Sequence, residues 1–140
     1  MANPGPASVQ TANYVSPAPN AYRLVAYGKS VPVSVAGDVP LQIITAGNFV
    51  PAIVVTCNSS GTTANIAAAT VGVYTLPAQG GTTVHATAAL TGQTTATFAY
   101  VRAASVANAM ISAPQLYANI GTTVANGITD IYVYGYDVQP

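Results

Sequence analysis

Residues 131–136 read IYVYGY, and the alternation of their side chains is the pattern that decides the fold of this chain. Successive side chains of a β-strand point to opposite faces of its sheet. One face of this strand carries Ile131, Val133 and Gly135, and the opposite face carries Tyr132, Tyr134 and Tyr136. Both faces are apolar enough to need covering, which predicts a central strand or a strand covered by a partner.

The chain from residue 21 onward repeats this kind of signal. Short runs rich in Val, Ile, Thr and Tyr are bounded by Gly, Pro, Asn and Ser, as in an all-β sandwich or barrel. We predict strands near residues 21–27, 31–35, 39–45, 49–57, 63–67, 70–76, 82–90, 94–102, 106–112, 115–120 and 128–138. Helical signals are weak, and PAQGG at residues 77–81 is the strongest hairpin signal. The predicted fold is an all-β, antiparallel, jelly-roll-like β-sandwich over residues 21–140.

A second alternating run covers residues 84–90. Its small and apolar side chains are predicted to share the core face, and these are Val84, Ala86, Ala88 and Leu90. His85 and Thr87 then lie on the polar face. The pattern predicts a half-buried strand.

Residues 1–20 differ in composition from the rest of the chain. They show no sustained period and hold four prolines, which favours an extended, partly polyproline arm. Its candidate contact residues are Pro4, Pro6, Tyr14, Pro17 and Pro19. We expect this arm to reach across the surface of a partner.

Charge is scarce. Only Arg23, Lys29, Arg102 and three aspartates (Asp38, Asp130, Asp137) are charged among 140 residues, where about a quarter is usual. Three scattered basic residues make no phosphate-binding patch, so the sequence predicts no nucleic-acid partner. No apolar run approaches the length of a spanning helix, so it also predicts no membrane partner. A surface with net charge near zero favours association.

Catalytic chemistry has few candidate groups. Enzymes need side chains that exchange protons or hold a metal, and this chain has one His and one Cys. His85 and Cys57 are far apart in sequence, and neither shows zinc-ligand spacing with another candidate. We therefore predict no enzyme, no cofactor and no metal site. Cys57 is expected to be an unreactive thiol in a strand. His85 is expected to be a surface or interface residue whose side chain forms hydrogen bonds.

The tyrosines at residues 132, 134 and 136 allow two interpretations. An exposed row of aromatic rings could stack against the faces of sugars. A subunit or sheet interface is the alternative, because tyrosine is enriched there for its large amphipathic surface. The interface is the favoured interpretation.

Three segments resemble a set of small tailed-phage structural proteins. They are ATVGVYTLPAQGGTTV at residues 69–84, AALTG at 88–92 and TDIYVYGYDV at 129–138. That family shares a "G-[VI]-[YF]-T-x-P-x-G-G" turn segment and a "D-[VI]-Y-[VI]-[YF]-G" ending, and the likeness covers about residues 50–138. It implies a β-sandwich that acts as a capsid cement or decoration protein.

The resemblance also implies the partners and the location. The protein would bind the major capsid protein at subunit junctions and associate with itself, as a homotrimer at a threefold position. It would be made in host cytoplasm, since residues 1–6 show no signal-peptide pattern, and would lie on the capsid exterior of the virion. The alternative is a receptor- or glycan-binding module of a phage head or tail fibre.

Overall fold

The computed structural model describes residues 23–45, 47–59, 64–94, 100–104, 107 and 109–138, with residues 100–104 described by their backbone pairing. These residues form an all-β domain. Its strands are β1 (Arg23–Pro32), β2 (Gly37–Ile43), β3 (Asn48–Asn58), β4 (Thr70–Leu76), β5 (Gly80–Ala89), β6 (Tyr100–Ala104), β7 (Ile111–Ser112), β8 (Leu116–Ile120) and β9 (Ile128–Asp137). The all-β prediction is confirmed.

The strands follow jelly-roll topology. Their order is β5-β4-β8-β2-β1-β9-β3-β6, and the short strand β7 pairs with β3. If the short strand β7 is set aside, the remaining eight strands form one long hairpin. In this hairpin β1 pairs with β9, β2 with β8, β3 with β6 and β4 with β5. Rolling this hairpin brings β9 beside β3 and β8 beside β4. The antiparallel sheet thereby curls into a barrel-like sandwich of two Greek keys.

The core lies between the two halves of the curled sheet. Buried side chains from the β1-β9-β3 half include Val25, Phe49, Val54, Ile131 and Val133. Those from the β2-β8-β4 half include Leu41, Val71, Val73, Leu116 and Ile120. Burial of each such side chain stabilises the fold by about 1.5–3 kcal/mol before the entropy of ordering is counted.

Strand β9 occupies the centre of its half of the sheet, as its sequence predicted. It pairs with β1 on one side and with β3 on the other. Ile131, Val133 and Gly135 are buried, and the three tyrosines between and beyond them are half-buried. The predicted division of its two faces is therefore confirmed.

Three of the predicted strands differ from the structure. The run at 106–112 contributes only the two-residue strand β7, and its described residues 107, 109 and 110 are not strand. The runs at 21–27 and 31–35 belong largely to the single strand β1, which continues to Pro32 through a bulge between Gly28 and Val31. Residues 64–67, predicted to be strand, lie instead in a loop and turn. In this loop Ile66 is fully buried and its N–H donates to the Gln93 carbonyl. Its apolar run covers the end of the core without joining the sheet.

The predicted core face of residues 84–90 is only half correct. Val84 and Leu90 are buried, but Ala86 and Ala88 are exposed. Strand β5 is an edge strand, and three register shifts interrupt its pairing with β4. Bulges of this kind break the period of two, so alternation along the sequence no longer reports which side faces the core.

The predicted hairpin joins β4 and β5 through a strained turn. Ala78 and Gln79 both have positive φ, at 56° and 60°, a conformation that glycine or asparagine usually supplies. Side chains of the neighbouring strands hold the turn. Asp38 accepts from the Ala78 N–H (2.9 Å), and Asn119 accepts from the Gln79 amide (2.9 Å) while donating to Asp38 (2.8 Å).

Gly135 lies where the backbone of β3 comes closest to β9. A methyl group there would collide with the Val50 carbonyl oxygen and lie 2.9 Å from the Pro51 Cα. The register of β3 against β9 shifts between Pro51 and Ile53, and a bulge is a position at which a strand tolerates proline. Glycine at 135 leaves room for this bulge.

We expect Gly135→Ala to lower the free energy of unfolding by about 1–3 kcal/mol, because rigid backbone of β3 must move. Urea unfolding followed by circular dichroism measures the change. Thr82→Ala, at an exposed position of β5, is the control and should shift stability by less than about 0.5 kcal/mol. Equal stability of Gly135→Ala and wild type would contradict the close approach.

Candidate functional site

The outer face of β1, β9 and β3 gathers apolar and aromatic side chains around the three tyrosines of β9. Tyr27 lies opposite Tyr132 in the β1–β9 pair. Tyr134 lies between Leu24 on β1 and Ile53 on β3. The tyrosine face is defined here by its half-buried members, which are Leu24, Tyr27, Val50, Ile53, Val55, Tyr132, Tyr134 and Tyr136.

This composition is typical of interaction surfaces. Each member of the face is half-buried, so part of its apolar area remains in contact with solvent. Interfaces are enriched in tyrosine and depleted of charge at their centre. Contiguous apolar area on a sheet face marks a site of protein or ligand contact. The tyrosine face is therefore the candidate functional site.

The hydroxyls of Tyr27 and Tyr132 are hydrogen-bonded within the chain. The Tyr27 hydroxyl donates to the Gln42 side chain at 2.9 Å. The Tyr132 hydroxyl accepts from the Lys29 ammonium at 2.7 Å and donates to the Asp130 carboxylate at 3.5 Å. The Lys29 nitrogen also lies 5.4 Å from the centre of the Tyr132 ring. These contacts fix the orientation of both rings.

A polar cluster closes one end of the tyrosine face. We call it the Asp130 cluster, and its members are Lys29, Ser30, Ser59, Asp130 and Tyr132. The Asp130 carboxylate accepts from the Lys29 ammonium at 2.9 Å and from the Ser30 backbone N–H at 2.8 Å. The Ser30 and Ser59 hydroxyls lie 3.2 Å apart. Asp130 itself is only 5% exposed.

The backbone of β1 builds this cluster. The bulge between Gly28 and Val31 places Ser30 in the left-handed region, at φ 52°. A bulged residue is released from the regular ladder, and here its N–H is directed at Asp130. The left-handed conformation of a serine costs about 1–3 kcal/mol. The charged hydrogen bond to Asp130 offsets part of that cost.

The surroundings of the cluster favour the charged forms of both Asp130 and Lys29. Burial alone would raise the pKa of Asp130, but hydrogen bonds from the Ser30 N–H, Lys29 and Ser59 outweigh burial and hold this pKa below its ordinary value of 3.8. Hydrogen bonds to Tyr132 and Asp130 raise the pKa of Lys29. The ion pair is therefore complete throughout the neutral pH range.

Cys57 is a buried thiol, as predicted from its apolar run. It lies opposite Asp130 in the β3–β9 register and is 3% exposed. Burial raises the pKa of Cys57, the Asp130 charge raises it further, and the Lys29 charge acts in the opposite direction. A protonated, buried thiol is a poor nucleophile.

A second ion pair lies at the start of β1. Arg23 is 3.2 Å from the Asp137 carboxylate of β9. The other oxygen of this carboxylate, Oδ1, is buried and has no hydrogen-bond partner within the described part of the chain. Both ion pairs found among the described residues therefore join β1 to β9.

His85 lies away from the tyrosine face. It is half-buried on the edge strand β5, opposite Val73. Burial lowers the pKa of its imidazole, so the ring is neutral at neutral pH. Within the described ranges, no group of three His, Cys, Asp or Glu residues is arranged to hold a metal ion.

The structure thus brings part of the predicted site together. Tyr132, Tyr134 and Tyr136 share one face, while Pro4, Pro6, Tyr14, Pro17 and Pro19 lie outside the described residues. Sequence reasoning missed the Asp130 cluster. Extending the tyrosine alternation back by one step places Asp130 on the same face, but no local signal indicates that Lys29 and Ser30 meet it.

Among the described residues, no helix has the length and hydrophobicity that crossing a membrane requires.

We expect Asp130→Asn to lower the free energy of unfolding at pH 7 by about 1.5–3 kcal/mol, the range for hydrogen bonds to charged groups. The pKa of Asp130 is lower in the folded protein than its ordinary 3.8. The stabilisation by its charge is thus present above pH 3.8 and is lost as pH falls through the lower folded value. The difference between wild type and variant should shrink over that acid range.

Urea unfolding at several pH values measures this effect. Tyr132→Phe is the matched control. It removes the 3.5 Å hydrogen bond to the carboxylate and the 2.7 Å hydrogen bond from Lys29, but it keeps the carboxylate with its Lys29 and Ser30 donors. It should cost less than Asp130→Asn at pH 7. A difference between wild type and Asp130→Asn that stays constant as the pH falls would show that the charge contributes nothing.

No protein-family model matches the chain, and no curated protein matches it significantly.

Proposed function

We propose that this protein is a structural protein of a phage virion, which binds the outer surface of the capsid as a cement protein and stabilises the head. The tyrosine face is the observation that carries this proposal. It is an apolar, aromatic surface at the centre of a sheet, and it is built on residues whose positions the strand register sets. Jelly-roll domains are common in virus particles.

The distribution of charge supports a permanent, salt-tolerant contact. Arg23 and Lys29 are paired with Asp137 and Asp130 within the chain. Asp38 accepts hydrogen bonds from the β4–β5 turn and from Asn119. Five of the six charged side chains are thus engaged inside the domain, which leaves little charge to attract or repel a partner.

The mechanism we propose is mechanical. A protein that binds only the assembled shell stabilises that shell by mass action. Its partners would be the major capsid protein at subunit junctions and further copies of itself, arranged as a homotrimer on the capsid exterior. In this function the protein is not an enzyme and needs no cofactor, nucleic acid or membrane.

A glycan-binding module of a head or tail fibre is the second candidate. The row of three tyrosines on β9 favours it, since flat aromatic rows suit sugar faces. Sugar sites, however, use polar groups that are available to a ligand. The Tyr27 and Tyr132 hydroxyls are hydrogen-bonded to Gln42, Lys29 and Asp130. These contacts favour the protein interface.

We expect Tyr134→Ser to lower the oligomer mass towards the 14.0 kDa of a single copy. The substitution removes the central aromatic ring of the tyrosine face, which lies between Leu24 and Ile53. Light scattering coupled to size exclusion measures the mass. Tyr117→Ser is the control, because Tyr117 is half-buried on the outer face of the opposite half of the sheet, beside Pro40 and Tyr74. An unchanged mass for Tyr134→Ser would remove the tyrosine face as the interface.

We expect the protein to bind empty phage heads and raise their resistance to heat, with affinity that changes little between low and high salt. Sedimentation of protein with purified heads over a salt series measures the affinity, and a glycan array tests the second candidate in parallel. Failure to bind heads, with binding to a defined glycan, would replace the first proposal by the second. A steep loss of head binding with salt would contradict the charge-poor interface.

A further inference from the structure

We infer that the N-terminal segment of one copy, residues 1–20, binds the tyrosine face of a neighbouring copy. This inference deepens the proposed self-association and rests on it. The partner that residues 1–20 bind is then a second copy of this chain. The argument uses where the segment is attached, which way it leaves and how its chemistry matches the face.

The attachment point lies at the rim of the tyrosine face. Strand β1 begins at Arg23, which is paired with Gly135 and forms an ion pair with Asp137. The next residue, Leu24, belongs to the face and is paired with Tyr134. The chain that precedes Arg23 is therefore tied to this surface by one of the two ion pairs of the described region.

The direction of β1 favours a neighbour over the same copy. From Arg23 the strand runs along the face towards Lys29 and the Asp130 cluster. A segment that continues backwards from Arg23 in the same line leaves this face at the end marked by Gly135. It would have to reverse direction within a few residues to cover its own tyrosines. A segment that continued in this line would meet the next copy instead.

The chemistries of the segment and the face are complementary. Residues 1–22 contain no Asp, Glu, Lys or Arg, which suits a face whose members are Tyr, Leu, Ile and Val. Proline-rich segments in the polyproline conformation bind grooves lined by aromatic rings. Their proline rings pack on the aromatic faces and their free carbonyls accept hydrogen bonds from side-chain donors. Pro4, Pro6, Pro17 and Pro19 provide the rings for such contacts.

Residues 1–20 are long enough to cross the tyrosine face of a neighbouring copy. A polyproline segment rises about 3.1 Å per residue, so residues 1–20 reach about 60 Å when extended. The tyrosine face from Asp130 to Tyr136 is about 20 Å long at the usual strand rise. The segment can therefore leave one copy and still cross the face of the next. A closed ring of such exchanges satisfies the symmetry of a homotrimer.

Photo-crosslinking of the full-length protein tests this inference. Tyr14 is replaced by photoreactive p-benzoylphenylalanine, copies with natural and heavy nitrogen are mixed and allowed to re-equilibrate, and the irradiated product is analysed by mass spectrometry. We expect crosslinks between light and heavy copies, from residue 14 to peptides that contain residues 48–58 or 128–137. Crosslinks confined to a single copy, or directed to β4, β5 or β8, would overturn the inference.

Two variants keep the test specific. Tyr134→Ser in the same photoreactive protein should reduce the light–heavy crosslink several-fold, because it removes the ring at the centre of the face. Tyr117→Ser should leave the yield unchanged, since Tyr117 lies on the opposite half of the sheet. Equal yields for both variants would show that the segment binds elsewhere.

Head binding separates this inference from the proposed function. Protein that binds and stabilises empty heads without light–heavy crosslinks would retain the cement function and reject the exchange. Protein that forms these crosslinks but ignores heads would reject the cement function and retain the exchange as a route to the oligomer.

Discussion

The pairing of β1 with β9 is the interaction on which the rest of the structure depends. It joins the first and last described strands, and its ion pairs link residues that are 114 and 101 positions apart in the chain. Strand β1 also pairs with β2, and this second pairing connects the two halves of the curled sheet. Both cations are largely exposed, whereas both carboxylates are largely buried. Four of the six charged residues thus lie in the pair of strands that joins the two ends of the long hairpin.

The same pairing produces the candidate interaction surface. Tyr27 reaches Tyr132, and Leu24 reaches Tyr134, only because β1 lies beside β9 in this register. The bulge that interrupts the pair directs the Ser30 N–H at Asp130 and so forms the polar end of the face. The surface is poor in charge because the chain has only three basic and three acidic residues, and four of these six form the ion pairs between β1 and β9. Fold closure and the proposed self-association therefore depend on one pair of strands.

Particular residues show what could be predicted from sequence. The alternation of residues 131–136 identified a central strand with tyrosines on one face, because a regular strand paired on both sides keeps its period of two. The alternation of residues 84–90 misplaced Ala86 and Ala88, because bulges along an edge strand break that period. The turn at residues 77–81 was located by composition. Its left-handed Ala78 and Gln79 were not, because Asp38 and Asn119 from other strands hold them in place.

The sequence by itself determined the fold class, the two faces of β9 and the shortage of charge, since each follows from local periodicity or composition. Only the tertiary structure decided which strands meet and therefore where the charges lie. Lys29 and Asp130 are remote in sequence, and their contact at 2.9 Å follows from the rolling of the long hairpin. The burial of Gln93, which donates to Thr56 and accepts from Thr129, has the same origin. Contacts of this kind depend on strand register across the closed sheet, which no local pattern encodes.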